Sequence, residues 1–563
     1  MFSLPIGGGK ILFFLWYDSA VAKVLLIVPH FWDPVCVPLG ISSLKAFAGE
    51  HDHDVELLDF NTIPEIFSVQ RAYFTECKNQ FPHFKDWNIE RNGTEMLAIH
   101  QMLYLFARNR SNYPELVAEV LNMDQRDMGQ FMHQLDVSRF DSLFASLYSK
   151  VSSVLAKTLN SAKFDVVGCS LFNSTWPATL FLLKRVKSHV PGVRTVVGGP
   201  GPLMGITSRA EEVMRFMDNH EFIDYFVVGE GEYSFLHILE NPDFPRGVLD
   251  PSRNLTRVES RKKFVKSEEL PAPDYGQLDI SRYLQLSVAS SRGCPFDCSF
   301  CAETVFWKGY RAFKGRTFEQ MDSLAQRYKR SSFYLCDSLS NTTIGPIAEG
   351  IKSLGRPYKL DCYLRADKTV AERPDDVHAW REGGLVRARL GMESASQRIL
   401  DAMVKKTTPE SMSKSLQVLS SEGVITSTLW IVCFPGETEK EFNDTLDFIR
   451  ANRANIYQSD AWLFQYHPAG LAHSGEIESE RGSRTRYSDD INQILAVAPY
   501  IVDRDMSAAE RFDRLERFVR TMRELEIPNP YSVYEWISAE GRWKTMGHSV
   551  HWNVETSMMA LNA

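Results

Sequence analysis

No apolar run in the 563-residue chain reaches the roughly 18 residues that a membrane-spanning helix requires. The sequence therefore gives no reason to expect a span. Basic charge is not concentrated either: 63 Lys and Arg stand against 71 Asp and Glu, a formal net charge of -8, and the basic residues are scattered. That distribution lacks the electrostatic footprint of a nucleic-acid partner. Cysteine is sparse, nine residues in all, which excludes a disulfide framework and fits free thiols in a reducing cytoplasm. The stretch Lys10 to Trp16 is apolar, but Asp18 and Lys23 interrupt it before a cleavage site forms. Residues 1–22 therefore read as a short extension rather than an export signal.

What is present is the composition of an ordinary globular protein, 44% hydrophobic and 24% charged, in a chain too long for one core. Five apolar strand runs alternate with helical patterns between residues 23 and 245: Lys23-Val-Leu-Leu-Ile-Val, Val55-Glu-Leu-Leu-Asp-Phe, Phe164 to Ser170, Val193 to Val197 and Tyr225-Phe-Val-Val. This predicts an α/β fold with a doubly wound, Rossmann-like parallel sheet. From about 62 to 160 the pattern is helical, with Leu143, Leu147, Val151 and Val154 on one face. It reads as a helical insertion, serving either to pack or to cover a ligand. Residues 246–283 are polar and proline-bearing and read as a linker. A second strand–helix series over 284–475 accommodates six units, a partial (β/α)6 barrel, and Thr317 with Gln320 has capping-box spacing for its first helix. The tail, 476–563, is helical and aromatic. Ser507 and Glu510 form a second capping-box pair, followed by an apolar face from Phe512 to Leu525. Tyr531, Tyr534, Trp536, Trp543 and Trp552 then offer either core packing or closure of the barrel's open side.

Ligands of parallel sheets bind at the carboxyl ends of the strands. In the first series those ends carry Pro38-Leu39-Gly40-Ile41, Ser170 to Ser174, Gly198-Gly199-Pro200-Gly201 and Gly229-Glu230-Gly231-Glu232. Glycines there allow close approach of backbone to a ligand. In the second series the first strand is followed by Ser-Arg-Gly-Cys294-Pro-Phe-Asp-Cys298-Ser-Phe300-Cys301. Three thiols within eight positions let one loop wrap three corners of a cubane iron–sulfur cluster, and no fourth ligand follows at metal-binding spacing. The fourth iron is thereby left open to a small molecule. The other cysteines differ. Cys336, Cys362 and Cys433 lie in apolar strand runs, and Cys36, Cys77 and Cys169 lack the spacing of a second cluster.

The pattern Cys-x3-Cys-x-aromatic-Cys resembles the signature of radical S-adenosylmethionine (SAM) enzymes. The four glycine-bearing loops, set before such a barrel, resemble the cobalamin-binding domain of one large subclass. The Asp-x-His-x-x-Gly motif is absent from the first strand's loop, as it commonly is in this subclass, so the resemblance implies a lower cobalt face without a histidine. It further implies a [4Fe-4S] cluster on Cys294, Cys298 and Cys301 whose open iron is chelated by SAM. Reduction there gives methionine and an adenosyl radical that abstracts hydrogen from substrate.

By the same resemblance, cofactor contacts fall on Phe300, Asp337, Arg365, Glu393, Ser394, Pro435 and Gly436 in the barrel. In the first domain they fall on Pro38, Leu39, Gly40, Ser170, Ser174, Gly198, Gly199, Gly229, Glu230 and Gly231. Glu393 and Ser394, in Arg389-Leu-Gly-Met-Glu-Ser, would hold the ribose or amino end of SAM, or else form a helix cap. Arg365 would pair a carboxylate of SAM or substrate, or sit in a structural ion pair. The activity so implied is methylation of an unactivated carbon of a specialised metabolite or pigment precursor. The alternatives are a cyclase or oxidoreductase on the same scaffold and a non-catalytic electron-transfer protein. The implied partners are a small-molecule or peptide substrate and a low-potential electron donor such as flavodoxin or ferredoxin. The substrate itself is not identified by any motif.

Overall fold

The structure is a computed structural model. It describes residues 21–31, 36–172, 174–199, 216–249, 265–307, 309–313, 315–465, 483–495, 500–502, 506–529 and 533–548. Pro200, Gly201, Tyr531, Trp552 and nearly all of the expected extension lie outside them.

The first body is a parallel sheet of strands β1 (Lys23–Val28), β2 (Asp54–Asp59), β3 (Val166–Ser170), β4 (Arg194–Gly198), β5 (Tyr225–Val227) and β6 (Gly247–Leu249), in the order β2-β1-β3-β4-β5-β6. Reversal of the winding between β1 and β3 opens a crevice at their carboxyl ends, the doubly wound arrangement that the alternating pattern predicts. Five strands fall on the expected runs. The sixth begins in the stretch read as linker, so this body continues past residue 245. Gly247-Val-Leu is too short, and too close to proline and glycine, to stand out as a strand, but its pairing with β5 in register Tyr225 to Gly247 makes it one.

The insertion between β2 and β3 is helical, with long helices at Pro64–Gln80, Thr94–Ala107 and Val137–Ser161. The last buries Phe140, Phe144, Leu147, Val151 and Leu155 along one stripe, the spacing expected of a helix with one face on a core.

The second body holds β7 (Leu286–Val288), the short antiparallel pair β8 (Ser291–Arg292) and β9 (Arg311–Ala312), and then β10 (Ser332–Leu335), β11 (Lys359–Leu364), β12 (Leu385–Glu393), β13 (Ile425–Val432) and β14 (Gln458–Leu463). Apart from β8 and β9 these form one parallel sheet, β14-β13-β12-β11-β10-β7, the six-unit partial barrel.

The two capping-box expectations part company. Ser507 caps the helix Ala508–Glu524 as expected, accepting from the Glu510 N–H while Glu510 reaches back to the Ser507 N–H. Thr317, by contrast, is already inside its helix, Thr317–Tyr328. The cap position belongs to Arg316, which makes no side-chain capping bond. The Thr317 side chain is buried, and burial rather than capping fixes it.

Two elements close the barrel. Trp543, wholly buried, packs with Val386, Ile425 and Tyr457 near the amino ends of β12 and β13, so this tail aromatic seals the end opposite the cluster loop. The helical insertion meets the free edge at β14: Arg91 lies 3.2 Å from Asp460 and 4.4 Å over the Trp462 ring, and Trp87 packs on Phe512 of the tail helix. Of the two roles the sequence left open to the insertion, it therefore packs, and what it packs against is the side of the barrel that six strands leave uncovered.

Candidate functional site

The cluster loop leaves β8 at Arg292 and is held from three sides. Asp337, just past β10, is buried and accepts hydrogen bonds from the Ser290 N–H at 2.7 Å, the Ser291 N–H at 2.9 Å and the Ser340 hydroxyl at 3.2 Å. Burial raises its pKa against the pull of these donors. Its oxygens are thus engaged in fixing the segment that leads into the loop. On the second side, the Ser299 N–H donates to the Met403 carbonyl at 2.9 Å, beyond the helix that follows β12. On the third, the Arg365 guanidinium, at the end of β11, lies 3.9 Å over the Phe296 ring with Nη1 3.8 Å from Cys298 Sγ. Asp367 sits 3.3 Å from Arg365 Nε. Of the two readings of Arg365, the structural ion pair is present, and the same guanidinium lies against the cluster loop.

Glu393 ends β12 in the left-handed region, φ 65°, and Cys433 follows β13 in the same conformation, φ 65°. Two non-glycine residues held there on neighbouring strand ends mark a place where backbone strain is concentrated, as it commonly is around binding sites. The Glu393 carboxylate folds back onto Lys405, Oε1 to Nζ 2.7 Å, in a pair almost closed to solvent. Gly391 makes the pairing possible: a Cβ there would lie 2.5 Å from Glu393 Oε1 and 3.0 Å from Lys405 Nζ. Lys405 was not legible as a site residue, because a lysine twelve positions beyond a glutamate carries no pattern. Its ammonium also stands 5.6 Å over the Phe300 ring. Phe300 packs in turn against Ile399, Met403, Phe434 and Phe464, an apolar platform gathered from the cluster loop and from the segments after β12, β13 and β14. Ser394 is fully buried and accepts from the Ser396 N–H at 3.2 Å. Ser396, rather than the Glu-Ser pair, caps the helix Gln397–Ala402. The structure thus removes the cap reading of Glu393. Pro435 and Gly436 form the turn past β13, where the Gly436 carbonyl accepts from Arg398 at 2.6 Å.

The donor set suits an iron–sulfur cluster. Cys294, Cys298 and Cys301 are close enough to act on one another's protonation, with Arg365 and Lys405 close enough to favour the Cys294 thiolate. Burial nevertheless holds the Cys294 thiol up and pushes Cys301 to about 12, so burial favours the thiol form of these two. Binding iron would displace the protons. Among the described residues, no three His, Cys, Asp or Glu converge as on a single ion. A cubane asks for something different, since each thiolate takes its own iron.

In the first body, Pro38 precedes the helix Leu39–Gly49, and Gly40 in its first turn is exposed, where an added Cβ would meet nothing within 4 Å. Ser170 closes β3, Ser174 stands in the turn before the helix Trp176–His189, and Gly198 closes β4. Gly199 has φ 123°, and a Cβ there would lie 2.7 Å from the Leu171 carbonyl oxygen, so the β3 loop by itself demands glycine. Gly229 has φ 80° and open space around it. Glu230 is spoken for: its carboxylate pairs with Arg292 at 3.3 Å and with Arg311, and accepts from the Val265 N–H at 3.1 Å. Gly231 places its Cβ position 3.3 Å from the Leu44 side chain.

A partial barrel with three thiols on the loop after its first strand defines a radical SAM domain, and residues 288–449 match the Radical SAM superfamily. Over that stretch the chain carries a radical SAM domain, and enzymes of that superfamily use a [4Fe-4S] cluster and SAM. It is 24% identical over 404 residues to an anaerobic magnesium-protoporphyrin IX monomethyl ester cyclase of Rubrivivax gelatinosus, covering 66% of this chain and 68% of that protein. It is 28% identical over 335 residues to an uncharacterized methyltransferase of Pyrococcus horikoshii, covering 56% and 70%. In structure it is similar to the radical SAM methyltransferase TsrM of Kitasatospora setae, solved with cobalamin and a [4Fe-4S] cluster, at a TM-score of 0.53 and 13% identity over 93% of this chain and 91% of that one. That last likeness is one of fold. No helix among the described residues is long and apolar enough to cross a membrane.

Proposed function

We propose that the chain is a cobalamin-using radical SAM C-methyltransferase acting on an unactivated carbon of a small molecule, with an external low-potential donor supplying electrons. One observation carries the reading. The carboxyl edge of the first sheet meets the start of the barrel: the Val37 N–H, after β1, donates to the carbonyl of Gln285, the residue before β7, at 3.1 Å, and Glu230 and Glu232, after β5, pair with Arg292, two residues before Cys294. A ligand in the crevice would therefore lie beside the cluster. When bound, the cluster would supply the electron that cleaves SAM and cobalamin the methyl group to be transferred.

In this account the protein's residues position and exclude water. Cys294, Cys298 and Cys301 hold the cluster, Arg365 and Lys405 place positive charge beside it, and the platform under Phe300 keeps that side dry. Gly40, Ser170, Ser174, Gly198 and Gly229 leave room for cobalamin. Anaerobic protein should bind hydroxocobalamin with one-to-one stoichiometry. No binding would remove cobalamin from the account and leave the cyclase or oxidoreductase reading, which the length of the match to the R. gelatinosus cyclase favours as the second choice.

Glu393 is assigned to SAM, with Lys405 orienting its carboxylate. Glu393→Ala should cost about 1.5–3 kcal/mol of SAM binding, from the loss of charge-assisted hydrogen bonds, or roughly ten- to a hundredfold in affinity. Lys405→Met is the comparison, because it removes the same ion pair but keeps the Glu393 carboxylate, and its loss of SAM affinity should be smaller. If Glu393 only anchors Lys405, both variants should lower the melting temperature equally and leave SAM affinity unchanged, and that result would sink the assignment.

A further inference from the structure

Glu232, Glu230, Arg292 and Arg311 form a charged cluster at the junction of the two bodies. Arg292 Nη1 lies 3.3 Å from Glu230 Oε1 and donates to Glu232 Oε2 at 3.3 Å, its Nη2 bonds Glu232 Oε1, and Arg311 bonds Glu230. The Arg292 guanidinium also lies 5.7 Å over the Trp307 ring and 5.8 Å over Phe313. Both glutamates are buried, 7% and 4% exposed. The fork of one arginine therefore grips two carboxylates in a site largely closed to water, where charge-assisted bonds are strong and geometrically specific.

The position of this grip in the chain gives it a consequence. Glu230 lies on the loop after β5, at the lip of the crevice, Glu232 opens the helix Glu232–Glu240 that follows it, and Arg292 is the last residue of β8 before Gly293 and Cys294. A displacement of the β5 loop must therefore move Arg292, strain the buried pairs, or break them. Removing one partner of such a pair leaves a buried charge unmatched, which makes breaking the least favourable course. We propose that Arg292, Glu230 and Glu232 are positioning residues that couple the crevice of the first sheet to the cluster loop, so that occupancy of one changes affinity at the other. The proposal rests on the reading above in which the crevice takes cobalamin and the loop takes the cluster.

The test uses full-length, anaerobically reconstituted protein and the variants Arg292→Lys, which keeps the charge and loses the fork, and Glu232→Gln. SAM affinity is measured with and without hydroxocobalamin, and the EPR spectrum of the reduced cluster is recorded with and without SAM. In the unmodified protein hydroxocobalamin should change SAM affinity by about fivefold or more, the lower end of ordinary coupling between sites. Both variants should keep their iron and their cobalamin affinity while losing most of that change. Retention of the full change in Arg292→Lys, or no change in the unmodified protein despite cobalamin binding, would overturn the proposal. If hydroxocobalamin does not bind at all, the cobalamin reading fails by itself, and the EPR arm judges the grip. Arg292→Lys should then alter the cluster spectrum and its response to SAM, and identical spectra would overturn it.

Discussion

Changing Cys294, Cys298 and Cys301 together to alanine should take anaerobically reconstituted protein from about four irons per chain to none, and should abolish reductive cleavage of SAM. The effect is all-or-none because the sequence groups no other soft ligands. Cys362 and Cys433 are buried, each with its thiol pushed up by burial, and Cys77 and Cys169 are enclosed in the core of the first body in the same way. Burial thus holds each of these thiols against ionisation, which disfavours it as a replacement ligand. The fold should survive, since the loop is anchored by Asp337, Met403 and Arg365 rather than by its sulfurs. Iron analysis and the absorbance of the cluster check the expectation, and full iron content in the triple variant would contradict it.

The second large effect concerns Gly40. Of the glycines at the crevice, Gly199 looks the most attractive to substitute, but the Leu171 carbonyl already forbids a side chain there, so any loss of binding would be confounded with damage to the β3 loop. Gly40 is free of this problem, because a Cβ at that position meets no described atom within 4 Å. Gly40→Trp should leave the melting temperature and the iron content unchanged while filling the space that the proposed function assigns to cobalamin. Overpacking costs typically about 1–3 kcal/mol, which corresponds to a loss of roughly ten- to a hundredfold in hydroxocobalamin affinity. Unchanged affinity would place the ligand elsewhere.

Much of the architecture was legible because its signals are local. Runs such as Lys23-Val-Leu-Leu-Ile-Val are apolar, rich in branched side chains and bounded by turn residues, and a fully buried parallel strand needs little else. The cluster loop was legible for a similar reason: three thiols on one short segment need no partner from elsewhere in the chain. What escaped was set by contacts distant in sequence. β6 is a strand only because β5 lies beside it. Thr317 has the residue type of a cap and the correct spacing, but the helix starts one residue earlier. Asp337 was expected near a cofactor, and its oxygens turn out to hold Ser290 and Ser291, forty-seven and forty-six residues away. Glu230 was expected as a ligand of the crevice, yet its charge is spent on Arg292 and Arg311 across the junction. The role of the insertion, left open between packing and covering, depends on Arg91 meeting Asp460, a pairing no periodicity could announce.

The central claim is methyl transfer, and the nucleoside products of SAM test it most directly. Reduced protein loaded with cluster and hydroxocobalamin, supplied with SAM and a candidate substrate, should form S-adenosylhomocysteine and 5'-deoxyadenosine together, one of each for every methylated product. Formation of 5'-deoxyadenosine with an unmethylated, cyclised or oxidised product, and no S-adenosylhomocysteine, would contradict the account.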